Sequence, residues 1–508
     1  MHSAPSATST HSHFARKIIG GTAWNLVSEG ISLPAGFLVF LFLTRKFGPA
    51  GYGFYTIITT FVLWFEWLIA SLFERATVKL TGESHDWTKL GSAIIQLHLI
   101  IGCLTAALIF ILADWIAAWM KEPAMAGYLR LATLDIPIYA FAQAHRGLMI
   151  GIGLFQEKAY TGIARWGTKL LLVFFLVQAG LSIPGAILAN IGASLCELAL
   201  CRYYLRPVVF LRSGHSYRSL LKYALPIFLL ALCLKSFNKL DLFALKILGG
   251  TLSQAGIYGA AQNLSLLAGI LTLSFSPILL SVLTRALKSG EMEKSHQITR
   301  ISFRFVIWFV PYGALLTVEA PLLVSFLLGP AFRDSILLFQ ILLWCAITLT
   351  VVSMAATVLL ALNRLRIALM LLLPLLVLSP FFYWMVVPHW GSPGTAAVTL
   401  GITLAAALLT TMAVYSFLKI SVPWGTLIRA GLISCAVVLF CSLSINGFSL
   451  HLGRIALVTC VIPLCFFLSG EFSRGEILIL REILGEFLPF WRSKMGEKEQ
   501  ESLESRGN

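Results

Sequence analysis

The sequence predicts an all-α integral membrane protein of about fourteen transmembrane helices. Two pseudo-symmetric six-helix lobes are expected to surround a central cavity, with two further helices at the C-terminus. Three observations predict this. Of 508 residues, 58% are hydrophobic and only 12% charged, and the mean hydropathy of +0.85 exceeds what any soluble core requires. Apolar runs long enough to cross a bilayer recur from end to end, and no connection between them is long enough to fold separately. The basic residues gather in alternate short loops, so the net charge of +15 reads as topology-setting charge, not as a nucleic-acid surface.

The elements follow in order. Residues 1–14, MHSAPSATSTHSHF, are polar and lack an apolar signal core, so a disordered cytoplasmic tail is expected; His2, His11 and His13 are read as part of that tail and not as a metal site. Spans beginning near Thr22, Gly53, Leu90, Tyr128, Tyr160 and Pro184 form the N-lobe, 15–212. Those near Leu220, Leu252, Ser302, Ser335, Arg366 and Gly394 form the C-lobe, 213–420. Trp424 and Leu452 open two more spans within 421–472, and 473–508 reads as an amphipathic cytoplasmic helix with a polar tail, Ser473 and Glu476 having capping-box spacing.

With the N-terminus inside, most of the 38 Lys and Arg residues fall on the cytoplasmic side. One loop holds Arg202, Arg206, Arg212, Arg218 and Lys222, and another holds Arg285, Lys288, Lys294 and Arg300. Both termini are therefore expected to be cytoplasmic. Pro34, Pro137, Pro277, Pro311, Pro374 and Pro463 are expected to interrupt helices. The nine cysteines, Cys103, Cys196, Cys233, Cys345 and Cys460 among them, have no metal or redox spacing and read as small buried hydrophobes.

An internal repeat joins the halves. LTRKFGPAGYGFYTI (43–57) and LKILGGTLSQAGIYGAAQ (245–262) each place a glycine-rich hinge and an A-G-x-(Y) step before a helix. Six spans separate them, an even offset that makes the halves parallel repeats with a cavity between.

Charged residues within spans carry the functional reading. Lys235, Asn238, Lys239 and Asp241 interrupt the apolar stretch 220–250, where each ionised side chain costs roughly 2.5–3.5 kcal/mol against lipid. Read as one continuous helix, the stretch puts Lys235, Asn238 and Lys239 on one side and Asp241 next to Asn238. Lys158, Arg165 and Lys169 share a face of span five with Thr161, and span four aligns Asp135, Tyr139 and Arg146. Arg165, Lys169, Lys235, Lys239 and Arg146 are candidate substrate-binding cations. Glu66, Asp241, Asp135 and Asn238 are candidates for gating or ion coupling, His98 being a further proton or sodium candidate; no cofactor is expected beyond an H+ or Na+ gradient. Two readings stay open: a cavity that accepts a phosphate or acidic sugar, or structural ion pairs with Glu29, Glu66, Asp135, Glu197 and Asp241. No P-loop, zinc motif or nucleophile elbow is present, so an enzyme is not expected.

Several segments carry a resemblance: ARKIIGGTAWNLVSEGIS at span one, FGPAGYGFY after it, FEWLIASLFERATVK closing span two, and HRGLMIGIGLFQEKA between spans four and five. KLDLFALKILGGTLSQAGIYGAAQNL, FLLGPAFRDS, LLALNRLRIAL and GSPGTAAVT follow in family order and extend it over nearly the whole chain. The chain resembles the polysaccharide transporter, or O-antigen flippase, family of the MOP superfamily. The resemblance implies a multi-pass protein of the bacterial inner membrane that moves a lipid-linked, undecaprenyl-diphosphate oligosaccharide across it by alternating access. That places it in cell-surface polysaccharide or lipopolysaccharide synthesis, with membrane lipids and the pathway's glycosyltransferases or polymerase as partners and no nucleic acid. The family's acidic position in span two falls on Glu66, where Asp is more usual. Its basic position falls on Arg75, its Arg-Gly on Arg146 and Gly147, and its span-seven Asp on Asp241. The alternatives are a multidrug or cation exporter of the same superfamily, which would want an acidic cavity, and a membrane-embedded glycosyltransferase or polymerase.

Overall fold

The computed structural model describes residues 7–83, 87–208, 228–237, 239–420, 422–442 and 448–471. Among them every regular element is helical. Among the described residues, seven helices are long and apolar enough to cross a membrane. Three of these, spanning Gly30–Phe73, Phe155–Tyr204 and Leu365–Leu418 in 44, 50 and 54 residues, would each exceed about 60 Å if straight, twice the ~30 Å hydrocarbon layer. Each is broken once. Gly48 (φ +65°), Gly180 (φ +94°) and Gly391 (φ +56°) hold left-handed conformations at the breaks, which a residue with a Cβ adopts only at a cost. The breaks therefore fall at glycines and not at most of the prolines. Pro34, Pro374 and Pro463 lie inside continuing helix, and Pro311 opens one instead of interrupting it.

In the first half, α1 (Ala7–Glu83), α2 (Trp87–Trp119), α3 (Met125–Thr133), α4 (Asp135–Ile152), α5 (Phe155–Leu176) and α6 (Ser182–Tyr204) pack together. The second half comprises α7 (Leu240–Ile247), α8 (Leu252–Lys288), α9 (Met292–Ile307), α10 (Val310–Val318), α11 (Ala320–Leu327), α12 (Ser335–Ala361) and α13 (Leu365–Leu418). The last two helices, α14 (Trp424–Ser442) and α15 (Phe448–Leu468), pack on α10 through Leu315, Ala430, Val437, Ile462 and Phe466. The boundary expected at 212/213 and the amphipathic segment 473–494 lie outside the described residues.

The expected single helix over 220–250 is not what forms. Residues 228–236 are helical, Phe237 and Lys239 are turn residues, and helix resumes at Leu240. Lys239 has φ −138° and ψ −18°, so the 100° rotation per residue that placed Lys235 and Lys239 on one face does not run through the break. Unwound backbone at membrane depth persists only where protein or water satisfies it; here Phe237 N–H still donates to Cys233 O at 3.2 Å and Lys239 N–H to Ser236 O at 3.1 Å.

The two halves meet at one end. There a single apolar cluster combines Leu43, Tyr52 and Ile57 with Leu242, Tyr258, Leu264 and Phe332. Toward the other end the clusters separate: Leu90, Ile94, Leu148 and Leu205 belong to the first half, Leu230, Leu283, Val358 and Val414 to the second. Apolar burial does little to join helices in lipid, so close approach of small residues decides where they pack. The seam shows this. A Cβ built on Gly53 would stand 1.9 Å from Leu252 O, and one on Gly256 would stand 1.9 Å from Pro49 O. The crossing is locally two-fold and equates Gly53 with Gly256, a register two residues away from the one read from the A-G steps. Thr251 caps α8 in a reciprocal box with Gln254 at 3.2 and 3.0 Å, which fixes the start of α8 beside the crossing. Polar contacts lock the same end. Lys246 Nζ lies 2.8 Å from Glu122 Oε1, Asn263 Nδ2 donates to Tyr52 OH at 2.8 Å, and the Arg45 guanidinium donates to the Leu327 carbonyl at 2.9 Å and to that of Phe326.

The cysteine expectation holds in part. No disulfide forms; Cys201, Cys233, Cys345 and Cys441 are buried, whereas Cys103, Cys435 and Cys460 are exposed.

Candidate functional site

In the first half, α4, α5 and α6 bring the candidate cations Arg146 and Arg165 to one buried carboxylate. Glu197 of α6, fully buried, pairs with Arg146 Nη1 at 2.6 Å through Oε1 and with Arg165 Nη1 at 3.5 Å through Oε2. One carboxylate thus serves two guanidinium groups. The Arg165 guanidinium also covers the Tyr139 ring, 4.4 Å from its centroid, a cation–π contact that adds attraction without neutralising the charge. Helical spacing does hold here: Asp135, Tyr139 and Arg146 lie on α4, and Arg165 with Lys169 on α5.

Asp135 is buried and its Oδ2 accepts from Asn190 Nδ2. Glu66, 1% exposed, lies beside Asp135 and within the fields of Arg165 and Lys169. Neither Glu66 oxygen has a hydrogen-bond partner among the described residues, nor does Asp135 Oδ1. Adjacent buried carboxyls without a donor between them can share a proton or receive a small cation. Lys169 Nζ sits 5.2 Å from the Trp166 ring centroid and forms no ion pair among the described residues.

In the second half, Asp241 is 1% exposed and surrounded by donors. Its Oδ1 accepts from Leu242 N at 2.8 Å and Gln262 Nε2 at 3.0 Å; its Oδ2 accepts from Tyr258 OH at 2.7 Å, with Thr399 Oγ1 at 3.5 Å. Tyr383 OH lies 3.0 Å from the Thr399 hydroxyl. Lys239 Nζ donates to Gln262 Oε1 at 2.8 Å, so its charge reaches Asp241 through one amide. Lys235 does not join this network. It is exposed, and its ammonium stands 5.4 Å from the ring of Trp67, a residue of the other half.

The expected same-face cationic pairs therefore divide. Arg165 and Arg146 are ion-paired, Lys239 is committed to the Asp241 network, Lys169 lies beside Trp166 within the fields of Arg165, Asp135 and Glu66, and Lys235 stands over the Trp67 ring. Glu66 and Asp135 come together, Asp241 stands apart, and Asn238 lies outside the described residues, as do the side chains of Glu29 and Arg75. His98 is buried, its Nδ1 2.9 Å from Ile94 O and its ring tilted against that of Phe73 at 5.1 Å, and it contacts neither cluster through a hydrogen bond or ion pair among the described residues. Glu197 was legible only as an acid in a span and Tyr139 only as a member of the Asp135 and Arg146 face, while Gln262 and Thr399 gave no signal at all. What could have exposed Glu197 is the charge balance, since two arginines on adjacent spans require a carboxylate within reach. Among the described residues, no three or more His, Cys, Asp or Glu side chains gather as a metal-ion site would need.

The family model described as polysaccharide biosynthesis protein matches residues 18–285, just over half of the chain. The sequence has no significant match among curated proteins. Its fold is similar to that of the lipid II flippase MurJ in an inward closed conformation, with a TM-score of 0.72 at 15% identity, covering 88% of this chain and 99% of that one. The Vibrio cholerae MATE transporter VcmN aligns with a TM-score of 0.59 at 18% identity over 80% of this chain and 98% of its own. A MOP superfamily transporter from Pyrococcus furiosus, described as having a binding pocket of reverse polarity, aligns at 0.58 and 16% over 83% and 96%. These neighbours are flippases and transporters, not enzymes. The chain belongs to the family of polysaccharide biosynthesis proteins and has the fold of MOP superfamily transporters.

Proposed function

We propose that the chain carries an undecaprenyl-diphosphate-linked oligosaccharide from the inner to the outer leaflet of the bacterial cytoplasmic membrane, with both termini cytoplasmic. In this reading 15–212 and 213–420 act as two lobes, and their relative rocking alternates access to the space between them. The observation that supports it best is the pair of ammonium groups, Lys169 and Lys235. They come from opposite halves, neither forms an ion pair among the described residues, and Lys235 reaches toward Trp67 across the gap. A diphosphate entering there would meet point charges that are not held in an ion pair among the described residues. The tryptophans offer faces on which sugar rings can pack, while the lipid tail stays in the bilayer. Arg165, Arg146 and Lys239 then hold the walls in place, and Glu66 with Asp135 binds the coupling proton or sodium ion.

The test is export of lipid-linked glycan by Lys169→Ala, Lys235→Ala and the double variant, each at wild-type membrane level. A loss of about ten-fold or more in the double variant is expected, the size of a lost charged contact; undiminished export removes these lysines from the mechanism. Efflux of a cationic dye is measured in parallel. Dye efflux with no glycan dependence would favour the exporter reading.

A further inference from the structure

At the end of the molecule away from the seam, α9, the start of α14 and the preceding Val422 and Pro423 line a cavity of about 260 Å³. Its place in the fold follows from the helix order: α9 and α10 run from Arg300 toward Gly329 on the seam side, α12 returns, α13 runs out to Gly391 and back, and α14 starts again at the Arg300 end. Arg300, Arg304 and Arg429 line it, together with Thr426 and Trp424 at the start of α14.

One carboxylate stands behind these three arginines. Glu471, 1% exposed, accepts from Arg304 Nε at 2.9 Å, and its two oxygens also take the Thr426 hydroxyl and the Arg429 guanidinium. Burial alone would raise this carboxyl, but the donors hold it below the usual carboxylate range, so it is ionised at neutral pH. The Arg304–Glu471 pair is enough to tie α9 to the C-terminal end of α15. The other two guanidinium groups exceed what that clamp needs. The Arg429 side chain keeps 39% of its surface open, and Arg300 is exposed and forms no ion pair among the described residues. The wall therefore carries two positive charges more than negative, on the open side of a cavity of small-ligand size.

Its surroundings are those of a membrane interface. Trp424, 67% exposed, begins an apolar helix of 19 residues, the position where tryptophan anchors helices at headgroup level. Trp424, Gly425 and Thr426 of the first turn of α14 line the same space, and the N-terminal end of a helix favours an anion. We propose that this cavity binds the phosphate of an anionic lipid headgroup in the leaflet at the parted end of the molecule, Arg429 and Arg300 contacting the phosphate and Trp424 seating the glycerol region. The site shares no lining residue with Lys169 or Lys235 and does not depend on what the protein transports. Basic pockets between transmembrane helices suit such headgroups, because guanidinium forks match phosphate oxygens.

The experiment uses the full chain released from the membrane in detergent, titrated with phosphatidylglycerol or phosphatidylcholine and read by native mass spectrometry. Preferential retention of phosphatidylglycerol is expected, with affinity about ten-fold weaker in Arg300→Gln, which leaves every ion pair at Glu471 in place, and weaker again in Arg300→Gln with Arg429→Gln. Arg300→Lys keeps the charge and should restore part of the loss. Equal retention of the two lipids, or unchanged phosphatidylglycerol affinity in Arg300→Gln at wild-type thermal stability, overturns the proposal. A third arm adds inorganic phosphate: displacement of the lipid at matched concentration would assign the cavity to a soluble anion and overturn the lipid assignment.

Discussion

Each half of the molecule buries a carboxylate network inside its helices, and the two are finished differently. Asp241 in the second half is saturated by neutral donors, Tyr258, Gln262 and the Leu242 amide, with Lys239 one amide away. In the first half Glu197 balances two arginines, while Glu66 and Asp135 retain oxygens without partners among the described residues. A satisfied network resists change, whereas unsatisfied oxygens beside cations leave room for something to arrive. The first half is therefore where a titrating or binding event has chemical reason to occur, and the second half reads as its rigid counterpart. This contrast survives even though the halves meet through a locally two-fold crossing.

That crossing offers the largest effect. Replacing Gly53 or Gly256 by leucine puts a Cβ within 1.9 Å of a backbone carbonyl, which no rotamer relieves. Transport should be abolished and the seam should open, seen as new reactivity of a cysteine placed at Asn263 toward a water-soluble maleimide. The two substitutions should act equally, because the contact is symmetric; a large difference between them would break the two-fold equivalence.

Next comes Glu197→Ala, which strands Arg146 and Arg165. Losing one partner of a buried ion pair costs about 3–5 kcal/mol, and a lowered melting temperature in detergent should report it. Asp241→Asn keeps the shape and most hydrogen bonds, so a smaller loss of about 1–3 kcal/mol is expected from its now mismatched donors. If Asp241→Asn proves the more damaging of the two, the contrast between the halves is reversed. Glu66→Gln should cost under about 1 kcal/mol, since no donor is lost, yet slow transport and flatten its dependence on external pH. An unchanged pH profile would remove Glu66 from coupling.

The smallest effect concerns the clamp at Glu471. Its carboxyl is held below the ordinary range by Thr426, Arg429 and Arg304. A depressed folded-state value stabilises the protein fully above the unfolded value, about 4.3, and the contribution is lost as pH falls through the folded one. The difference in melting temperature between wild type and Glu471→Gln should hold constant at neutral pH and shrink only below about pH 4.

Much of the fold was legible. The apolar runs marked the helices, Asp135, Tyr139 and Arg146 shared a helical face as their spacing required, and the glycine-rich steps near Gly53 and Gly256 became the seam. The register of the repeat was misread by two residues because sequence similarity weighs the A-G pair, whereas packing selects the glycines whose backbones touch. The stretch 220–250 misled for a different reason. Its apolar composition permits a continuous helix, and the turn at Phe237 and Lys239 follows from partners on other helices that periodicity does not encode.

By itself the sequence determined the class of protein, the positions at which charge enters the membrane, and the places where glycine lets the chain break or cross. Only the tertiary structure decided which charges were spent on one another and which stayed available. Helical spacing fixes the face a side chain occupies, but the partner of a buried charge sits on another helix, and the cost of desolvation makes that pairing the deciding term.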